Sequence, residues 1–280
     1  MFIEPNKPAT VDELLRGMIV QSGNDACITL AEGIAGSEET FATMMNQQAQ
    51  RLGMANTHFV NSTGLPHPQH YTTAQDLSVL ATAIIRDFPE FYPLYSIKEY
   101  SYNNITQPNR NRLLWQDPFV DGMKTGHTES AGYCLISSAK RGGMRLISVV
   151  LGTESDSART VESQKLLNYG FQFFDSARLY QKGQSIANLR VWKGSQDMLK
   201  AGFNQDMYVA LPKGQQQRLK AEMTTTQPLL APLSAGQKVG SVKFSLDGKL
   251  VAEQPLESLD NVRIANIFGR TWDAMRLWFK

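Results

Sequence analysis

Apolar positions along the chain first recur at helical spacing and later alternate as in strands, and this change of period divides the sequence. Thr10 with Glu13 three residues on is a capping-box pattern, and Leu14, Leu15, Met18 and Ile19 follow on one face, which predicts a helix. A polar corner, Gln21-Ser22-Gly23-Asn24-Asp25, leads to a second apolar helix from Ala26-Cys27-Ile28. Read alone, Ser22 or Asn24 caps that helix. Glu38 to Leu52 reads as a third helix, with Phe41, Met44, Met45, Ala49 and Leu52 inward and Gly53 as its C-terminal glycine. A loop rich in Pro, His and Gly runs from Asn61 to Tyr71, and Thr73-Ala74-Gln75-Asp76 then opens a helix that must stop before Pro89.

Strand signals follow. Glu99-Tyr100-Ser101-Tyr102 alternates polar and aromatic residues, and Asn103-Asn104 suits a hairpin turn. Tyr133-Cys134-Leu135-Ile136 is a β-prone run bounded by glycines, and Met144 to Gly152 is the clearest buried strand. Together they predict an antiparallel pair turning at Gly142-Gly143. Ser157 to Phe174 reads as a long amphipathic helix with Leu166, Leu167, Phe171 and Phe174 inward. Beyond Ala177, short apolar runs alternate with turn residues, and Leu246-Asp247-Gly248-Lys249 is a strong hairpin signal, which predicts a small all-β domain. The final segment, 261–280, gathers Ile264, Ile267, Phe268, Trp272, Met275, Trp278 and Phe279 on one helical face, with four cations and one acid in the segment. That describes a helix lying on a membrane surface rather than crossing one, with a helix docked on its own protein as the alternative.

Composition narrows the class without deciding it. The 280 residues are 42% hydrophobic and 19% charged, enough for a real core. A net charge of +2 gives no footprint for nucleic acid. The two cysteines, Cys27 and Cys134, sit in apolar contexts and do not report the compartment. No Cys/His cluster has metal-ligand spacing, and neither a metal nor a cofactor is expected. The start, Met1-Phe2-Ile3-Glu4-Pro5, lacks the features of a signal peptide.

Two short patterns carry candidate chemistry. Lys124-Thr125-Gly126 sets a cation, a hydroxyl and a residue without a side chain in a row before the glycine-bounded strand. Such a row presents charge and a donor to a carboxylate and lets a substrate backbone come close. Ser22-Gly23-Asn24 sets a hydroxyl and a carboxamide on one tight corner. Ser-x-Asn and Lys-Thr-Gly are two of the three motifs of penicillin-binding proteins and serine β-lactamases. With Leu14-Leu15-Arg16-Gly17-Met18, Asn109-Arg110-Asn111, Leu113-Leu114-Trp115, Asp121 to Thr128 and Ala131-Gly132-Tyr133, the chain resembles the D-alanyl-D-alanine carboxypeptidases of the low-molecular-mass penicillin-binding group. The β-rich part and the amphipathic tail resemble that family's C-terminal half.

The resemblance implies an α+β fold: an incomplete transpeptidase-like domain at 1–176, a β-rich domain at 177–259 and an anchoring helix at 260–280. It implies removal of the terminal D-alanine from peptidoglycan stem peptides, binding of β-lactam antibiotics, and a place on the periplasmic face of the bacterial inner membrane. Carried over, Ser22 relays a proton to the leaving amine and Asn24 holds the substrate amide. Lys124 supplies positive potential and joins the proton network. Thr125, Gly126, Arg110 and His127 bind the terminal carboxylate end. One departure stands against these agreements. The family's nucleophile lies in a Ser-x-x-Lys before the Ser-x-Asn, and here only Ser137-Ser138-Ala139-Lys140 has that spacing. It falls in the expected strand, whereas a lysine one turn from its serine needs a helix. Met1 therefore reads as an internal methionine or the edge of a fragment, and the chain as written is expected not to form an acyl-enzyme. A non-catalytic peptidoglycan-binding protein and a serine β-lactamase remain as alternatives, although the β domain and tail speak against the second.

Overall fold

The computed structural model describes residues 1–266 and Asp273. The chain divides into two compact units, Met1–Gln172 and Phe173–Lys280.

The first unit opens with helices. Helix α1 (Val11–Val20) starts at Thr10, whose side chain accepts from the Glu13 amide while Glu13 reaches back, so the capping box is formed. Helix α2 (Asn24–Ala35) begins two residues earlier than expected, and its N-cap is Gly23 with no side-chain bond. Neither Ser22 nor Asn24 caps it; Ser22 instead takes a left-handed backbone with φ 59°. Helix α3 (Glu38–Leu52) has the expected bounds and left-handed Gly53 after it, but Met44 is exposed and Ala42 takes an inner position. Helix α4 (Ala74–Asp87) is capped by Thr73 and ends before Pro89. A 3₁₀ turn over Tyr92–Ser96 leads to strands β1 (Glu99–Tyr102) and β2 (Ile105–Pro108), joined through left-handed Asn103 and Asn104. A single turn, α5 (Leu113–Gln116), precedes the sheet.

That sheet has three antiparallel strands in the order β3 (Val120–Thr128), β4 (Gly132–Arg141), β5 (Met144–Thr153). The β4–β5 turn is at Gly142-Gly143, as the sequence predicts. Lys124-Thr125-Gly126 lies inside a strand of its own, β3, which pairs with the glycine-bounded run in β4. Because successive side chains alternate faces, Ile136 and Ile147 pack with Ala81, Tyr92 and Met123, while Leu135 and Leu146 pack with Leu113, Leu114 and Leu167. The sheet thus has α4 and the 3₁₀ turn on one face and α5 with α6 (Asp156–Phe173) on the other. Within α6, Leu167 is buried as expected, but Leu166 is 50% exposed, and Phe174 belongs to the next strand.

The second unit is β-rich. Strand β6 (Phe174–Tyr180) pairs with β9 (Met207–Pro212). A six-stranded sheet holds β7 (Ser185–Trp192), β8 (Met198–Gly202), β10 (Leu219–Thr225), β11 (Leu229–Leu230), β12 (Lys238–Leu246) and β13 (Lys249–Ser258), in the order β10-β12-β13-β8-β7-β11. Asp247 and Gly248 both have positive φ in the β12–β13 turn, as a tight hairpin requires. Val191, Leu199, Val239, Phe244 and Leu256 form the core. The expected amphipathic helix does not start at 261: Val262 is buried in this core and bridges Leu233, and Ile264 bridges Gly194, so residues 261–266 are extended. From residue 267 on, apart from Asp273, the expected helix lies outside the described residues. Asp273 is buried and accepts a hydrogen bond from the Lys193 amide at 2.6 Å.

Candidate active site

Strand β3 is an edge of its sheet, with β4 its one strand partner among the described residues. Lys124 extends from this edge to the corner between α1 and α2. Its Nζ donates to Ser22 Oγ in a short contact and to the Thr125 carbonyl at 3.0 Å. These partners are a hydroxyl and a carbonyl, so no carboxylate compensates the ammonium. Burial therefore pulls Lys124 down to about 8; Cys27 opposes the shift, and the Arg110 and Arg159 charges add to it. Cys27, one turn into α2, is pushed up by burial, with Lys124 acting the other way.

The corner that presents Ser22 is held from two sides. The amides of Gln21 and Gly23 both donate to the Gly17 carbonyl, at 3.2 and 3.1 Å. Gln21 Nε2 donates to the Tyr100 carbonyl on β1 at 3.0 Å. Asn24 is exposed at the first position of α2, with its carboxamide free to meet a ligand.

Arg110 owes its position to its neighbours. Asn111 is fully buried, donates to the Gly122 carbonyl at 3.0 Å and accepts from the Leu113 amide at 3.2 Å. Asn109 accepts from the Asn111 amide at 2.9 Å and donates to the Ile97 carbonyl at 2.9 Å. The two asparagines fix the backbone on either side, and Arg110 between them stays exposed. Its charge acts on Lys124, disfavouring the protonated form of that lysine.

Along β3, Thr125 is buried, while Gly126 and His127 are exposed. A methyl group at Gly126 would come no nearer than 3.9 Å to the Cys134 Cβ, so the fold itself has room for a side chain there. His127 pairs across the ladder with Tyr133, their rings 3.9 Å apart. The sequence reading missed Arg159, buried on α6, which donates to the Gly126 carbonyl at 3.1 Å. An arginine early in a helix reads as a solvated side chain, and no local pattern marks it otherwise.

Ser137 and Lys140 do not form a nucleophile–base pair. Both lie in β4, where residues three apart point to opposite faces. Ser137 is completely buried and hydrogen-bonded to Ser148 Oγ at 2.7 Å, while Lys140 is exposed. Among the described residues no group of three or more His, Cys, Asp or Glu side chains is arranged to hold a metal ion.

Ser-x-Asn and Lys-Thr-Gly brought into contact, in a chain that also carries a β-rich second unit, define a class: the chain belongs to the D-alanyl-D-alanine carboxypeptidase family, whose pattern matches residues 1–155. The penicillin-binding protein 5 C-terminal domain matches residues 174–263. The chain is 46% identical over 281 residues to the D-alanyl-D-alanine carboxypeptidase DacC of Escherichia coli (strain K12), spanning 100% of this chain and 70% of that protein. It is similar in structure to penicillin binding protein 5 from Haemophilus influenzae, with a TM-score of 0.83 and 43% identity over 94% of this chain and 77% of that one. Penicillin-Binding Protein D2 from Listeria monocytogenes in its ampicillin-bound form matches with a TM-score of 0.54 and 36% identity, over 58% of this chain and 68% of that one.

Proposed function

We infer that residues 1–155 supply the substrate-holding wall of a serine-type D-Ala-D-Ala carboxypeptidase acting on peptidoglycan stem peptides. The observation that carries this reading is the contact between Lys124 and Ser22, which brings the two motifs together from widely separated parts of the chain. The free carboxylate of the terminal D-alanine meets Thr125 and Arg110, with His127 beside them. A planar guanidinium and a hydroxyl donor suit a carboxylate. Asn24 holds the penultimate amide. A lysine that titrates near pH 8 can exchange a proton close to neutrality, and Ser22 carries that proton towards the leaving amine. The carboxylate and amide of a β-lactam fit the same groups.

Acyl transfer also needs an attacking serine with a base. Ser137, the one serine with Ser-x-x-Lys spacing, is sealed in β4. Ser137 is therefore not a serine that a substrate can acylate.

Binding of an N-acylated Lys-D-Ala-D-Ala tripeptide, followed by calorimetry, tests the groove. Binding should depend on the free C-terminal carboxylate and weaken sharply with the C-terminal amide. Equal binding of both peptides would remove Thr125 and Arg110 from their role. A fluorescent penicillin found covalently attached to Ser137 would overturn the statement about acylation.

We further infer that the segment from residue 267 to 280 rests on the outer surface of the bacterial inner membrane, on the periplasmic side. Its aromatic and basic composition supports this. Co-sedimentation with anionic vesicles that survives removal of the segment would count against it.

A further inference from the structure

Arg159 has no part in the roles assigned above, yet it is only 4% exposed beside the groove. Its Nη1 donates to the Gly126 carbonyl on β3 at 3.1 Å and reaches the Cys134 carbonyl on β4 at 3.5 Å. Gly126 and Cys134 are paired directly across the ladder, so one guanidinium bridges both strands at the third residue of Lys-Thr-Gly. Its Nη2 donates to Asp156 Oδ1, and the other oxygen of Asp156 takes Arg112, two residues beyond Arg110. The guanidinium also lies 5.5 Å from the Tyr133 ring centroid, and Tyr133 in turn stacks against His127.

This arrangement is costly for stability alone. A buried cation needs a partner, and here one carboxylate is shared between two arginines while Arg159 Nε has no acceptor. Apolar replacements for buried ion pairs are often neutral or stabilising. What the guanidinium provides is geometry, because three walls of the groove converge on it: the β3 edge, the loop carrying Arg110, and the His127–Tyr133 stack.

We propose that Arg159 is a positioning residue of the groove, holding the Gly126 edge of β3 and, through Asp156 and Arg112, the Arg110 loop in one fixed relation. The proposal rests on the carboxypeptidase reading of Lys124, Thr125 and Arg110. A second effect follows from its place: its charge, after burial the partner of Arg110 in this, disfavours the protonated form of Lys124.

Three variants test it with two readouts, tripeptide affinity and the Lys124 titration followed by NMR on ¹³C-lysine-labelled protein. The Lys124 signal is the one lost in Lys124→Arg. Arg159→Lys keeps the charge but not the fork, so the Lys124 midpoint stays near about 8 while tripeptide affinity falls about tenfold, the loss of one charged hydrogen bond. Arg159→Met lowers affinity likewise and raises the midpoint. Should Arg159→Met fail to fold, Asp156→Asn, which frees the same guanidinium, is expected to weaken the tripeptide about as much. Variants that melt earlier but keep both midpoint and affinity would assign Arg159 to structure alone and overturn the proposal. If the tripeptide does not bind even the unaltered protein, the carboxypeptidase reading fails, and the midpoint of Arg159→Met still decides whether Arg159 acts on Lys124.

Discussion

Replacing Lys124 by methionine is expected to make the fold more stable at neutral pH while removing its groove. Burial, opposed by Cys27 and reinforced by Arg110 and Arg159, brings Lys124 from its ordinary 10.5 to about 8. Between these values the unfolded chain holds a proton that the folded chain has released, so stability rises with pH across that window. Below it the folded state bears the whole penalty of the buried ammonium. At about 1.36 kcal/mol per pH unit, the gap amounts to about 3 kcal/mol. Methionine is similar in length and uncharged, but it forfeits the bonds to Ser22 and the Thr125 carbonyl, which offsets about 1 kcal/mol. The net gain is about 2 kcal/mol near pH 7 and fades as the pH approaches the ordinary lysine value. Urea unfolding of both proteins at about pH 7 and about pH 10 reads the difference directly. A variant less stable than the parent at the lower pH would refute the reasoning, as would a difference that does not change with pH.

Two further substitutions separate fold from site. Gly126→Ala has room within the structure, so stability should shift by no more than about 0.5 kcal/mol. Tripeptide affinity should nonetheless drop at least about tenfold, because the methyl projects towards the groove; calorimetry on the two proteins checks this. Asn111→Ala strands the Gly122 carbonyl and the Leu113 amide in the interior, and a loss of about 2–3 kcal/mol is expected in urea unfolding. A loss under about 0.5 kcal/mol would mean the asparagine does not hold the Arg110 loop.

Local chemistry made much of the first unit legible. Thr10 with Glu13, Thr73 before α4, Gly53 after α3 and Gly142-Gly143 between β4 and β5 act through their own backbone bonds and need no distant partner. The start of β3 was not legible, because an edge strand tolerates Lys124 and Gly126 where a central strand would carry apolar residues. Of the glycines that seemed to bound the Tyr133–Ile136 strand, Gly132 is the first residue of β4 and Gly126 lies within its partner β3. Leu166 and Met44 were placed inward by periodicity, yet tertiary packing leaves both exposed. At the site, Ser22, Lys124 and Arg110 were marked by their motifs, and the structure brings Ser22 and Lys124 into contact. Arg159 was not, since its partners lie in β3 and β4, far from it in sequence.

The contact between Ser22 and Lys124 joins residues 102 positions apart. Closing so long a loop has an entropic cost that local structure cannot repay in advance. The helices and the β4–β5 hairpin can form early, but the groove exists only once the corner before α2 and the edge of β3 have met. It should therefore be among the last features to assemble during folding and among the first to open in local fluctuations. Amide exchange at Thr125 and Gly126 would then run ahead of exchange in β4, and a bound peptide would slow it by bridging the two walls.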